Sequence, residues 1–224
     1  MEPVKPYGEL VESKKKQVKK MFDRIAPAYD TLNTILSLGI DKSWRKKAIA
    51  QLPTSTDSLC ILDVATGTCD MSIQAAKRYP HYHFIGIDLS DGMLAMGRKR
   101  LIKLGLDQNI KIELGDSEEL GFQDNTFDAT MAAFGVRNFE NLELGLRNMN
   151  RVIKKNGKIV ILEFSKPKAF PFKQLFNFYF KNFLPLIGKF GSSDDQAYKY
   201  LYQSVQQFPD YERFLDKLRE AGFT

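Results

Sequence analysis

The sequence predicts an α/β fold, a mostly parallel sheet with helices on both faces, and three observations predict it. Strand-like and helix-like segments alternate from residue 59 onward. Most end on a turn or cap residue: Asp88, Gly105, Asn156-Gly157 and Gly222. The chain has 224 residues, 43% hydrophobic and 27% charged, enough for one sizeable core.

The elements follow in order. Leu59–Val64 is a short apolar run, followed by a Gly-containing turn and a helix over Asp70–Tyr79. Tyr82–Ile87 reads as the second strand; Asp91 then caps a helix reaching Leu104, which Gly105 stops. Ile110–Leu114 and Phe127–Ala132 are strands three and four. A helix near 140–155 ends at Asn156-Gly157, Lys158–Phe164 is strand five, and a last helix runs from about Pro209 to Glu220.

Two segments stand outside the alternation, one before the first strand and one after the fifth. Residues 9–51 read as a helical cap, with Val11, Val18, Phe22 and Ile25 at helical spacing, a second helix ending near Gly39, and a third holding Trp44 and Ile49. Residues 166–208 form a helical insertion between the core (59–165) and the final segment (209–224). Ligands of open α/β sheets lie outside the carboxyl ends of the strands, which is where a cap and an insertion can cover them.

Composition excludes several classes. Two Cys and two His are too few for a disulfide framework or a zinc cluster, and a reducing cytoplasm is the default. His81 and His83 alternate as on a strand but have no further metal ligands nearby in sequence. There is no secretory h-region and no run of about twenty uncharged apolar residues. The charge of +6 and pI near 9.1 permit a nucleic-acid or anionic-membrane partner. No basic stripe with interleaved aromatics supports nucleic acid, so none is expected.

The turn Leu62-Asp63-Val64-Ala65-Thr66-Gly67-Thr68-Cys69-Asp70 sets an acid near a strand end before small residues and a helix start, a nucleoside-binding edge. Asp88 follows Gly67 by 21 residues at the tip of strand two, where a carboxylate can accept both ribose hydroxyls. G-x-G-x-x-G is absent, which argues against NAD and for a cofactor without a pyrophosphate. Gly115-Asp116-Ser117 after strand three offers an acid and a hydroxyl to an adenine edge. Together these point to S-adenosylmethionine (SAM). Taken singly, Asp63 and Asp88 can equally be helix caps.

The chain resembles the ubiquinone/menaquinone biosynthesis C-methyltransferases from about Val18 to its last residue. The resemblance rests on Tyr29-Asp30-Thr31-Leu32-Asn33-Thr34-Ile35-Leu36-Ser37 with Trp44 beyond, on Phe134-Gly135-Val136-Arg137-Asn138, and on Arg151–Ile159 closing with Glu163-Phe164-Ser165. Leu32, Asp41, Lys155-Asn156, Thr66, Cys69 and Ala133 depart from the family pattern. It implies a Rossmann-like class I SAM-dependent methyltransferase fold that methylates a ring carbon of a prenylated quinol. It also implies SAM contacts at Thr68, Asp88, Asp116 and Ser117. A sheet of this type closes with two further strands, so Gly222-Phe223-Thr224 leads to the expectation that these are missing and that strand five borders an open edge. Such an edge invites pairing with a second copy.

Such a reaction needs an electron-rich ring, a dry site and loss of a phenolic proton. Tyr29 and Asp30 of the cap and Arg137 and Asn138 after strand four are the candidates for that face. Arg137 stays protonated, so it holds an oxygen or polarises a water rather than acting as an ordinary base; a salt bridge to the cap is its structural alternative. A helix-start role is the alternative for Tyr29-Asp30. Phe170–Phe190 holds seven of the seventeen Phe, and 166–190 has five Lys and no acid, which suits a polyprenyl tail, an anionic membrane surface, or plain packing. Phe178 and Phe183 are its test positions. The remaining alternatives are another apolar acceptor and a non-catalytic methyltransferase-like subunit.

Overall fold

The computed structural model describes residues 4–8, 11–37, 39–178 and 195–224. Five parallel strands form one sheet in the order β3-β2-β1-β4-β5. They are β1 (Cys60–Val64), β2 (His83–Asp88), β3 (Ile110–Leu114), β4 (Phe127–Ala133) and β5 (Ile153–Leu162). Ile61, Leu62 and Val64 are fully buried, because β1 lies mid-sheet with helices on both sides. Chain direction across the sheet reverses between β1 and β4, which opens a crevice at their carboxyl ends.

The covering helices are α4 (Asp70–Arg78), α5 (Asp91–Leu104) and α6 (Leu142–Val152). Ser90, rather than Asp91, caps α5: its hydroxyl accepts from the Met93 N–H at 3.1 Å, while Asp91 is the first helical residue. Gly105 ends this helix at φ +64°, as predicted. The helix predicted near 140–155 is shorter. Asn156 sits at φ +64° inside β5 beside a register shift between Phe127 and Ala129, so Asn156-Gly157 kinks a strand that starts at Ile153. A Cβ on Gly157 would lie 2.4 Å from Ile153 Cγ2, so the kink requires glycine.

The cap consists of α1 (Lys14–Ile25), α2 (Tyr29–Leu36) and α3 (Asp41–Ile49). Val11 precedes α1 and is fully exposed; its helical spacing was fortuitous, because Ser13 caps α1 after it. Of the insertion, α7 (Phe172–Phe178) and α8 (Asp195–Gln207) are described, and Phe183 lies outside the described residues. Val18, Met21 and Ile25 of α1 pack with Ala197, Tyr198 and Tyr200 of α8, so cap and insertion meet in a core of their own. The last helix, α9 (Glu212–Glu220), begins later than expected because Tyr211 takes φ +54°. β5 is an edge strand among the described residues. No helix among them is long and apolar enough to cross a membrane.

Candidate active site

The turn after β1 is built around Asp63. Its Oδ2 accepts from the Thr66 hydroxyl (2.7 Å) and the Ser72 hydroxyl (2.6 Å), which ties the turn to α4. Burial raises its carboxyl to about 6 despite these bonds, and Oδ1 has no partner among the described residues. Ala65, Gly67 and Cys69 all adopt positive φ. Gly135 closes against this turn, and a Cβ there would stand 2.6 Å from Ala65 Cβ. Thr66 and Cys69 are thus accommodated, Thr66 donating its N–H to Ile87 O at 2.9 Å.

Asp88 ends β2 facing that turn. Oδ2 accepts from Gly67 N and Oδ1 from Ser90 N, each at 2.9 Å, leaving a second lone pair on each oxygen. Burial raises it to about 6. Asp23 of α1 contributes to that shift and binds the start of α5, accepting from Ser90 Oγ (2.6 Å) and Gly92 N (3.0 Å).

One cavity joins these parts. Its wall includes Asp88, Gly67, Ser117 and Asn138 among apolar Val18, Phe22, Tyr29, Met93, Phe134 and Phe139. Asp116 is not on that wall: it pairs with Lys15 Nζ at 2.6 Å and accepts from Glu118 N at 2.9 Å. A smaller adjoining cavity is lined by Asp63, Thr68, Arg45 and Tyr29.

Asp30 is already engaged. Its Oδ1 accepts from Thr68 Oγ1 at 2.6 Å and its Oδ2 pairs with Arg100 at 2.8 Å. It fastens α2 to the turn after β1 and sits in the first turn of that helix, the helix-start arrangement. Tyr29 lines both cavities, and burial raises its phenol above the ordinary value.

Arg137 and Asn138 belong to a 3-10 turn over Val136–Asn138. The Arg137 guanidinium pairs with Glu163 at 2.9 Å, donates to Phe134 O and lies over the Phe164 ring. Both charged side chains are under 10% exposed. The salt bridge foreseen with the cap is made with Glu163 just beyond β5 instead. The cap reaches Arg137 through its carbonyl, which accepts from Lys14 Nζ.

Sequence reasoning missed Lys14, Arg45, Arg100 and Glu163. Glu163 belongs to the Glu163-Phe164-Ser165 segment, and no local signal marks it as the partner of Arg137. Arg45 stacks on Phe134, pairs with Asp41, and keeps a buried Nε without a partner among the described residues. No group of His, Cys, Asp and Glu able to hold a metal occurs among the described residues.

The five-stranded parallel sheet, with its crevice at the carboxyl ends of the strands, is the fold of an S-adenosylmethionine-dependent methyltransferase. Residues 10–224 match the ubiE/COQ5 methyltransferase family, and the chain belongs to it. It is 46% identical to a demethylmenaquinone methyltransferase of Bacteroides fragilis, over 100% of this chain and 90% of that protein. It is 41% identical to a ubiquinone/menaquinone biosynthesis C-methyltransferase UbiE of Geotalea daltonii, over 94% and 89%. Among solved structures it resembles the [4+2]-cyclase SpnF, with TM-score 0.68 and 20% identity over 93% of this chain and 72% of that one. It also resembles a SAM-dependent methyltransferase of Thermotoga maritima, with TM-score 0.66 and 18% identity over 92% and 81%. A cyclase among these neighbours illustrates that the fold alone does not set the chemistry.

Proposed function

We propose that the chain methylates a ring carbon of a prenylated quinol, a demethylmenaquinol or a polyprenyl methoxy-benzoquinol. The observation that carries this reading is the single cavity in which Asp88 adjoins an apolar wall of Val18, Phe22, Phe134 and Phe139 beside Asn138. Bound SAM supplies an electrophilic methyl group. Asp88 holds the ribose hydroxyls, Gly67 and Thr68 line the approach, and Ser117 meets the adenine side; Asp116 supports that side through Lys15. The unpartnered Asp63 Oδ1 and Arg45 Nε form an acceptor and a donor matched to an amino-acid end.

On the acceptor side, Tyr29 and Asn138 bound the ring and Arg137 stabilises oxygen charge as the phenolic proton leaves. Asp30 acts on this face by keeping α2 closed over the turn. The apolar wall excludes water. Phe170, Phe172, Leu175 and Phe178 are more than half exposed, which suits a prenyl tail or a peripheral membrane surface at the cytoplasmic face. Lys166 and Lys168 instead face Asp210 and the Tyr211 ring, so less of the positive charge is available to headgroups than composition implies.

Incubation with SAM and reduced demethylmenaquinone or a polyprenyl methoxy-benzoquinol should yield a product 14 mass units heavier than the acceptor, a methyl replacing a ring hydrogen (about one carbon and two hydrogens by the reaction balance). Absence of methylated product from both acceptors, with SAM bound, would refute the proposal.

A further inference from the structure

Tyr200 lies on α8 and is 2% exposed, packed in the same core as Val18 and Met21 of the cap. Its hydroxyl has no hydrogen-bond partner among the described residues. A buried hydroxyl without a partner forfeits its bonds to water and gains nothing in return, and Phe would fill the same volume without that loss. Arg137 and Glu163 are close enough to act electrostatically on the phenol, which burial holds above its ordinary value. α8 packs against the 3-10 turn that carries Arg137 and Asn138. On that turn Arg137 Nε and Asn138 Oδ1 are likewise buried without partners. The two packed elements thus carry a donor, an acceptor and a hydroxyl that is both, beside Asn138 and Val18, which line the cavity, and a quinol carries two ring oxygens needing such partners.

We propose that the Tyr200 hydroxyl is a substrate-binding group that hydrogen-bonds one ring oxygen of the acceptor, working beside Arg137 and Asn138. The assignment rests on the quinol reading above. It makes α8 a contributor to ring recognition rather than only a packing element.

Trp44 is the only tryptophan and touches Phe134 and Phe164, the ring beneath Arg137, so its fluorescence reports on this region. The test titrates 1,4-naphthohydroquinone, kept reduced, into wild type and Tyr200→Phe saturated with S-adenosylhomocysteine, and follows Trp44. The expected result is affinity at least about tenfold weaker in the variant, as for loss of one hydrogen bond to a buried partner. S-adenosylhomocysteine affinity should be unchanged and the melting temperature equal or higher. Equal naphthohydroquinone affinity in both proteins would overturn the Tyr200 assignment and leave the quinol reading intact. No binding to wild type, with S-adenosylhomocysteine bound, would overturn both.

Discussion

Lys14 Nζ donates to the main-chain carbonyls of Arg137 at 3.0 Å and Phe139 at 2.7 Å, so the first residue of the cap holds both sides of Asn138. Its own N–H donates to Glu140 at 2.8 Å, and the next residue, Lys15, pairs with Asp116 and Glu118. Burial and the Arg137 charge lower the Lys14 ammonium to about 8. One helix start thus spans the 3-10 turn and the loop after β3.

Lys14→Met keeps the length of the side chain and strands two carbonyls. Turnover should fall by about tenfold through misplacement of the turn, with SAM affinity changed far less. Steady-state kinetics beside calorimetric titration of SAM checks this; parallel losses in both would mean that Lys14 serves the whole fold.

Arg137→Ala should lower turnover by about a hundredfold or more while SAM still binds. The variant also leaves Glu163 buried and uncompensated, at a cost of about 3–5 kcal/mol. The double variant Arg137→Met with Glu163→Met should regain most of that stability without regaining turnover. Urea unfolding and a methyl-transfer assay on both variants separate the two effects, and near-normal turnover in either would make Arg137 structural only.

Asp88→Ala should weaken SAM binding by about 1–3 kcal/mol through lost charge-assisted hydrogen bonds. The pH dependence has a defined sign. With the Asp88 carboxyl raised to about 6, the folded protein carries it protonated at lower pH, and the charged form that accepts ribose hydroxyls prevails above that value. SAM affinity should therefore decline as pH falls through about 6. Stability of the ligand-free protein runs the other way: a raised carboxyl contributes stability below its unfolded value of 3.8, which is lost as pH rises through about 6. Asp63, also near 6, adds to the stability trend, so Asp88→Asn should flatten the affinity profile more than Asp63→Asn. Binding and scanning calorimetry from about pH 4 to about pH 8, roughly two units on either side of the raised carboxyl, read both.

Phe178→Ser, at a side chain 59% exposed, should reduce turnover of a long-tailed quinol more than of a tail-less analogue, and should weaken sedimentation with anionic vesicles. Equal losses on both substrates together with unchanged sedimentation would assign Phe178 to packing.

The sequence alone determined the strand and helix succession, the acid at the tip of β2, the turn around Gly67 and the glycine stop at Gly105. Each is written in a local signal, periodicity or a residue suited to one backbone conformation, so neighbours in the chain suffice to read it. The misplaced boundaries arose where a local signal had two structural outcomes: Asn156-Gly157 ends a helix or kinks a strand, and only pairing of β5 with β4 chose the latter. The tertiary structure alone decided that Asp30 faces Thr68 and Arg100, that Arg137 pairs with Glu163, and that Lys14 reaches a turn 123 residues away. Those partnerships depend on how the cap and the strand ends meet in space. No spacing along the chain encodes which of many available charges will be brought within reach and desolvated together.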